Sequence, residues 1–533
     1  MTPEHWTEGG HPVALERWIE RGLVVAAVVL LPLSAALYVQ IPPSIDQWQL
    51  DYTGWMVVRG HAPYVDIQDG NWPMAHWLHA GSVALWGVDV SAWRWTDCFV
   101  LIIGLVGGAP LARRMGGPAG VRWWLLLHPL LYVTSGSWFA GQRDIVAAHL
   151  GLLALAMAWR FLEERSHAFA VLAGGALTAA VLVKPTFGLF ALVVPLLAWR
   201  LERCADLTPA EVIRGVAIVA AWSLGALGLA VLALAAEGSS STAFWEHAIV
   251  SIATRVPSDS VPLGENLQTI GVRVVTSWHW ILAGAVGVTV SALRGDDADA
   301  RTAVGLAWSV VAIGVVSYVA QGHNLEYYLG PVLVGLSLLV AGALGQATRA
   351  VGREGVMRFV AAMLMMIAVA GTGSKLRGTF GALVPVLTGA EERASWEARF
   401  IAGDDLSLAE ARGVGAELAT LVPSDGSLLV WGRANVLNLL AERPQPTGFY
   451  HPPHFQREFV AEEIFGAWES QFIEELQANP PAAAWVRGVH DFGVTRSSRF
   501  LEAWLADHCR PRRALGRGRI FFCAANPVES SDD

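Results

Sequence analysis

The sequence is poor in charge, poor in cysteine and has no excess of positive residues. Only 16% of its 533 residues are charged, which is low for a soluble enzyme of this length. The 37 Lys and Arg residues face 46 Asp and Glu residues, so the net charge of −9 argues against a nucleic-acid partner. The four cysteines show no CxxC spacing and no zinc pattern. Cys509 and Cys523, both in the polar last part, could pair if that part lies in an oxidising compartment.

Long apolar runs take the place of charge. Hydrophobic residues make up 54% of the chain, and the mean hydropathy is +0.43. Repeated apolar runs of about 20 residues are typical of membrane-spanning helices, and the 24 tryptophans suit membrane interfaces. We therefore predict a polytopic α-helical membrane protein with about eleven transmembrane helices. The predicted spans are 22–41, 95–113, 121–138, 145–162, 167–183, 186–200, 212–235, 274–293, 302–320, 329–346 and 357–373.

Arginines cluster in alternate connections between these spans, from Arg17 and Arg21 before the first span to Arg349 and Arg353 before the last. By the positive-inside rule these connections are cytoplasmic. The first outer loop (42–94), the arginine-poor connections and everything after residue 374 then lie on the outer face. We predict a multi-pass plasma-membrane protein with a cytoplasmic N-terminus and an extracytoplasmic C-terminal domain.

The chain after about residue 395 has a different composition, with more Pro, more charge and alternating strand and helix patterns. Leu408–Leu421 is predicted to be an amphipathic helix, and SLLVW at 427–431 a buried strand. This alternation is typical of a small α/β domain, and it contains no GxGxxG, Walker, GxSxG or HExxH motif. The predicted domains are a transmembrane domain (1–374), an interfacial linker (375–394) and an outer-face α/β domain (395–533).

Residues 46–73 form the most polar stretch beside the first span. A carboxylate at a membrane face stays ionised and can still meet a lipid-borne substrate, so the stretch suits proton transfer. An ordinary solvated loop is the alternative interpretation. Its aspartates are Asp46, Asp51, Asp66 and Asp69.

The other short outward connections also carry charged groups. They are GQRD at 141–144, Lys184-Pro185, and QGHNLEYY at 321–328. Charged groups at the ends of spans are costly unless they are hydrated or paired. Because Arg and Lys bind phosphate well, carboxylates together with these cations favour a reaction with an acidic base and a phosphate leaving group.

Taken in order, these motifs resemble the GT-C superfamily of integral-membrane glycosyltransferases, especially bacterial relatives of the protein-mannosyltransferase and aminoarabinose-transferase type. Each motif is loose, but their order over nearly the whole chain is fairly specific. The matching segments are Asp46 with Tyr52, GHAPYVD at 60–66, DGNWP at 69–73, GQRD at 141–144, KP at 184–185, QGH at 321–323 before Tyr327, and LVWG at 429–432 followed by AERP at 441–444.

The resemblance implies a polyprenyl-phosphate-linked sugar donor, used at the outer face of a bacterial inner membrane. It implies inverting transfer to a lipid, glycan or protein acceptor, with membrane lipids as further partners. Asp46 would be the general base, and Asp69 and Asp144 further catalytic residues. The implied substrate-binding residues are Tyr52, His61, Tyr64, Asp66, Arg143, Lys184, His323 and Tyr327.

Each of these residues also has a plainer interpretation. Asp46 could cap a helix after the first span, and Asp66, like Asp69, could be a turn aspartate. Arg143 and Asp144 could pair with each other at a helix start. The remaining cations, Lys184 and His323, could simply be hydrated at the interface.

No cofactor is assigned, and a divalent metal is left open. His76 and His79 have helical i,i+3 spacing and could ligate a metal together with Asp69, but two histidines are a weak signal. Gln47 stands where the protein-mannosyltransferase branch has Glu, which puts a protein acceptor and a metal linked to that pair in doubt.

A transporter or flippase of lipid-linked sugars is the alternative function. It predicts charged or broken segments at mid-membrane and an internal repeat. The sequence shows no convincing repeat, and its charges collect on one face. Chemistry at that face is therefore the preferred hypothesis.

Overall fold

The computed structural model describes residues 11–89, 91–202, 208–250, 261–322, 324–350, 356–381, 383–403, 406–450, 462–487 and 499–523. The chain divides into two compact units. Unit 1 comprises Met1–Gln40, Asp97–Gly228 and Val261–Val384, and unit 2 comprises Ile41–Thr96, Leu229–Ser260 and Pro385–Asp533. The predicted first outer loop therefore groups with the C-terminal residues.

Helices dominate the described chain. In order they are α1 (His11–Tyr38), α2 (Ile45–Val58), α3 (Pro73–Trp86), α4 (Ala92–Val133), α5 (Arg143–Glu164), α6 (His167–Val183), α7 (Phe190–Glu202), α8 (Pro209–Ala236), α9 (Ser241–Phe244), α10 (Leu263–Arg273), α11 (His279–Arg294), α12 (Ala298–Gln321), α13 (Gly330–Ala350), α14 (Val356–Gly381), α15 (Val384–Leu387), α16 (Arg393–Glu397), α17 (Leu408–Leu421), α18 (Val436–Ala441), α19 (Glu462–Ala478) and α20 (Arg499–His508). Short 3₁₀ or π turns cover Pro185–Leu189, Trp245–Val250, Val274–Trp278 and Glu326–Leu329.

Seven helices in the described ranges are long and apolar enough to cross a membrane. Two shorter apolar helices, His167–Val183 and Pro185–Arg200, accompany them. The predicted class, a polytopic α-helical membrane protein, is therefore confirmed. The seven are Arg17–Tyr38, Ala92–Val133, Arg143–Glu164, Pro209–Ala236, Leu263–Arg294, Ala298–Gln321 and Glu326–Ala350.

A break inside α4 separates two of the predicted spans. Gly117 leaves the helical region, with φ 65° and ψ −162°, and Pro118 follows it. Glycine adopts this backbone without a Cβ clash, and proline favours a fresh helix start. The two limbs of α4 correspond to the predicted spans 95–113 and 121–138.

The C-terminal part of unit 2 contains a four-stranded sheet. Its strands are β3 (Leu428–Trp431), β4 (Ala483–Arg487), β5 (Cys509–Leu515) and β6 (Gly518–Cys523), in the order β3-β4-β6-β5. The pair β3–β4 is parallel and the other two pairs are antiparallel. A separate two-stranded ladder joins β1 (Ile401–Gly403) and β2 (Leu406–Ser407). The predicted small C-terminal α/β region is thus present.

Both faces of this sheet are covered, as the alternation of strand side chains requires. Leu428 and Val430 pack in one apolar cluster with α17 and α18, whereas Leu429 and Trp431 pack in another with α19 and α20. A disulfide between Cys509 and Cys523 joins the start of β5 to the end of β6. The pairing that the sequence left open is therefore made.

Candidate active site

Asp46 lies in the first turn of α2, in unit 2. Ser44 is the N-cap, and Gln47 completes a capping box in which the Ser44 N–H donates to Gln47 Oε1 at 3.0 Å. Ser44 and Gln47, rather than Asp46, therefore cap this helix. Asp46 is half-buried.

Asp51, the next aspartate of α2, is buried against α3. His79 Nδ1 lies 2.7 Å from Asp51 Oδ1, and the His79 ring stacks on Trp93 with centroids 3.6 Å apart. The helices touch closely here, because a Cβ added at Gly54 would lie 2.5 Å from the carbonyl carbon of His79. Asp51 and His79 thus hold α2 and α3 together.

Asp69 is also buried and also faces a histidine of α3. His76 Nε2 lies 3.5 Å from Asp69 Oδ2, and His76 Nδ1 lies 3.1 Å from Thr53 Oγ1. Thr53 donates its hydroxyl proton to Leu50 O at 2.9 Å, so it accepts from His76 Nδ1–H. The ring therefore presents Nε2 to the Asp69 carboxylate. Asp69 also accepts from the Asn71 side-chain amide at 2.9 Å.

The two histidines of α3 therefore serve different carboxylates. The sequence had left open a metal site formed by His76, His79 and Asp69, but these three side chains do not converge on one point. Across the described ranges, no group of three or more His, Cys, Asp or Glu side chains is placed to hold a metal ion.

Asp66 closes a tight turn in the first loop. Its Oδ2 accepts the Ala62 N–H at 2.7 Å and lies 3.9 Å from His61 Nδ1. Tyr64, within this turn, takes a left-handed φ of 66°. Asp66 and His61 remain partly exposed, so both stay accessible to a substrate while Asp66 shapes the turn.

The two first-loop tyrosines are buried. Tyr52 Oη accepts the Gln445 N–H at 3.0 Å, and Tyr64 donates its hydroxyl to Asn71 O at 2.7 Å. Burial raises the pKa of both phenols, and the Asp69 carboxylate raises that of Tyr64 further. Both tyrosines are therefore neutral hydrogen-bonding groups that fix the first loop.

In unit 1, Lys184 is the centre of a polar cluster. Its ammonium donates to Asp144 Oδ1 and Oδ2 at 2.9 and 2.8 Å and to the side-chain oxygen of Gln321. Gln321 also donates to Asp144 Oδ1 at 3.0 Å and to Ser317 O at 3.1 Å. The ammonium sits 4.4 Å from the centre of the Tyr328 ring. Asp144 is buried and forms an ion pair with Lys184. This pair lies inside the helical unit.

The remaining predicted residues of unit 1 surround this cluster in sequence. Arg143 is the first residue of α5 and is half-buried. Tyr327 is buried and stacks on Trp138 with centroids 5.8 Å apart. His323 lies outside the described residues.

Sequence analysis missed Asp97, a fully buried carboxylate of α4. Tyr132 donates to its Oδ1 at 2.6 Å, and Tyr38 donates to its Oδ2. The signal was available, since Asp97 lies in the predicted span 95–113 and an ionisable residue in a span is a candidate functional residue.

Sequence analysis also missed a buried pair of histidines. His128 Nε2 and His149 Nε2 are 2.9 Å apart, and His128 Nδ1 lies 2.8 Å from Ser337 Oγ. Ser337 donates to Val334 O at 3.0 Å, so it accepts from His128 Nδ1–H, and His149 Nε2–H donates to His128. These bonds join α4, α5 and α13.

The apolar helices of unit 1 and the mixed sheet of unit 2 give this chain a fold similar to that of solved ArnT structures. A crystal structure of ArnT from Cupriavidus metallidurans bound to undecaprenyl phosphate is similar, with a TM-score of 0.60 and 15% identity over 95% of this chain and 98% of that chain. Its apo form gives a TM-score of 0.56 and 14% identity over 94% and 98%. The resemblance inferred from the motifs is therefore confirmed at the level of the fold.

A crystal structure of an Archaeoglobus fulgidus oligosaccharyltransferase in complex with Zn and sulfate gives a TM-score of 0.47 and 11% identity over 86% of this chain and 67% of that chain. No protein-family model and no curated protein matches the sequence.

Proposed function

We propose that the protein is an inverting glycosyltransferase that moves a sugar from a polyprenyl-phosphate donor to an acceptor at the outer face of a bacterial inner membrane. Asp46 takes the proton of the acceptor hydroxyl, whose oxygen forms a bond to the anomeric carbon. The bond from that carbon to the phosphate oxygen breaks, and the polyprenyl phosphate leaves with the electron pair. A single displacement of this kind inverts the anomeric centre.

The placement of the first-loop carboxylates carries this proposal. Asp51 and Asp69 are buried against histidines, and Asp66 accepts a backbone N–H within its own turn. Asp46 is half-buried at a helix start whose N-cap is Ser44. A general base must be within reach of the acceptor, and among the four aspartates of residues 46–73 we assign that role to Asp46.

Cations are needed around the leaving phosphate, and we assign that role to Arg143, Lys184 and His323 on their chemistry. Asp144 and Gln321 hold the Lys184 ammonium in one position. Asp144 is therefore proposed to orient Lys184, and through it the donor, rather than to exchange protons.

The outer face is proposed from two independent observations. Arginine-rich connections alternate along the chain, and by the positive-inside rule this supports an outer-face C-terminal domain. The Cys509–Cys523 disulfide fits that side, since disulfides persist in oxidising compartments. The undecaprenyl phosphate in the ArnT crystal structure supports a lipid-phosphate donor for the same fold.

The test supplies purified protein in vesicles, with an envelope extract as the source of acceptor, with radiolabelled undecaprenyl-phosphate sugars or with the matching nucleotide sugars. We expect label to move only from the lipid-linked donors, with release of undecaprenyl phosphate and with the opposite anomeric configuration in the product. Movement of intact lipid-linked sugar across the bilayer without product would support the flippase instead and overturn the proposal.

A further inference from the structure

A buried chain of hydrogen bonds in unit 1 ends next to the start of α5, and the proposed reaction leaves it without a role. Asp97 is its centre and accepts from the hydroxyls of Tyr38 in α1 and Tyr132 in α4. All three side chains are almost fully buried. A carboxyl group with two hydroxyl donors fixes both rings, because rotating either ring away would leave a buried carboxyl oxygen without that hydrogen bond.

Tyr132 makes a second hydrogen bond. Its oxygen accepts the Gly141 N–H at 2.7 Å. Gly141 is buried, takes a left-handed φ of 80° and directly precedes Gln142, the N-cap of α5. This N–H lies before the helix and cannot join its internal ladder, so the tyrosine oxygen satisfies it.

The turn held in this way leads directly into the candidate site. Arg143 and Asp144 are the first two residues of α5, and Asp144 holds Lys184 at 2.8 Å. A shift of the turn at Gly141 is therefore passed to both residues and to the ammonium.

We propose that Tyr132, held by Asp97, is a positioning residue that fixes the turn before α5 and so the phosphate-binding groups carried by α5 and by Lys184. This inference rests on the proposed function, in which those groups bind the phosphate of a polyprenyl donor. Tyr132 touches neither donor nor acceptor in this account.

Tyr38 offers a matched control. Tyr132→Phe and Tyr38→Phe each remove one hydroxyl that donates to Asp97, but only Tyr132→Phe also removes the acceptor of the Gly141 N–H. Of the two variants, Tyr132→Phe therefore tests the bond to Gly141.

The test measures the donor KM, kcat and the dissociation constant of undecaprenyl phosphate for the full-length protein in detergent. Tyr132→Phe should raise the donor KM and the dissociation constant about tenfold, as expected for one lost buried hydrogen bond, while kcat changes much less. Tyr38→Phe should leave both constants near those of the native protein. Hydrogen exchange of the segment 134–143 should quicken only in Tyr132→Phe.

Equal donor constants and equal exchange in the two variants would overturn the proposal. If Tyr132→Phe cannot be purified, Asp97→Asn, which weakens the hold on Tyr132 without removing its oxygen, should raise the donor KM in the same direction, and an unchanged KM would count against the proposal. A native protein that binds no undecaprenyl phosphate would instead overturn the donor assignment. The exchange comparison would still decide whether Tyr132 holds this turn.

Discussion

The Lys184 ammonium lies 2.8 Å from Asp144 Oδ2, inside the helical unit. The Asp144 carboxylate is buried, and Lys184 is mostly so. In surroundings of low polarity a pair like this is held by its own attraction, and each partner is costly when left alone. The pair therefore keeps a cation ready in a fixed place without an uncompensated buried charge.

Asp144→Asn should leave Lys184 without its counter-charge and lower the free energy of unfolding by about 3 kcal/mol. Lys184→Met should be destabilising for the reciprocal reason. The double variant Asp144→Asn/Lys184→Met should recover much of the thermal stability, because neither charge remains, yet still bind undecaprenyl phosphate poorly. Melting temperatures and binding curves in detergent check this, and a double variant less stable than both single variants would contradict the ion pair.

Gly54→Ala should separate α2 from α3. Its Cβ would lie 2.5 Å from the carbonyl carbon of His79, so one backbone must move, at a cost of about 1–3 kcal/mol. Gly81→Ala is the matched control, because a Cβ at Gly81 meets nothing within 4 Å and alanine favours the helix. Thermal unfolding should show a loss for Gly54→Ala alone, and an equal effect of both changes would contradict the close approach of the helices.

The sequence predicted the polytopic helical class because apolar length is a local property of the chain. Of the described helices, seven are long and apolar enough to cross a membrane, whereas about eleven spans were predicted. It also predicted β3 from its apolar run. It missed β5, whose sequence CRPRRAL has arginines and a proline where apolar alternation would mark a strand, so pairing with β6 forms it.

The sequence predicted which residues form the candidate site but not which of them contact each other. Asp51 and His79 are 28 positions apart, and Lys184 and Asp144 are 40 apart, so only the folded chain shows that they meet. Asp97 and Tyr132 lie on the two segments of α4, one before and one after the break at Gly117. Hydropathy does not predict that these two segments contact each other.

Glu475 should make part of unit 2 less stable as pH rises. Burial raises the pKa of this carboxyl above its usual range, while hydrogen bonds from Gly448 N–H and Gln471 act against that rise. The protonated form is thus favoured in the fold, so its stabilising contribution is complete below the unfolded pKa and is lost as pH rises through the folded pKa.

Hydrogen exchange of α19 and β4 between mildly acidic and neutral pH measures this effect. The native protein should lose protection as pH rises, after correction for the intrinsic exchange rate, and Glu475→Gln should lose less. Glutamine keeps an acceptor for the Gly448 N–H but carries no charge. The same slope in both proteins would show that Glu475 is not the titrating group.

Thiol labelling should count two reactive cysteines in the denatured protein before reduction and four after it. The two are Cys98 and Cys204, since Cys509 and Cys523 are joined. Replacing both joined cysteines by serine should cost about 3 kcal/mol for a loop of this length. Four reactive thiols before reduction, in protein purified without reductant, would contradict the disulfide and weaken the outer-face assignment.

The central claim is that Asp46 is the general base, and single-turnover sugar transfer by Asp46→Asn tests it most directly. Asp89→Asn is the control, because Asp89 is an exposed first-loop aspartate whose carboxylate accepts hydrogen bonds from Ser91. We predict that Asp46→Asn transfers sugar at least about a hundredfold more slowly, with undecaprenyl phosphate binding unchanged, whereas Asp89→Asn stays near the native rate. Transfer by Asp46→Asn within a few-fold of the native rate would contradict the account.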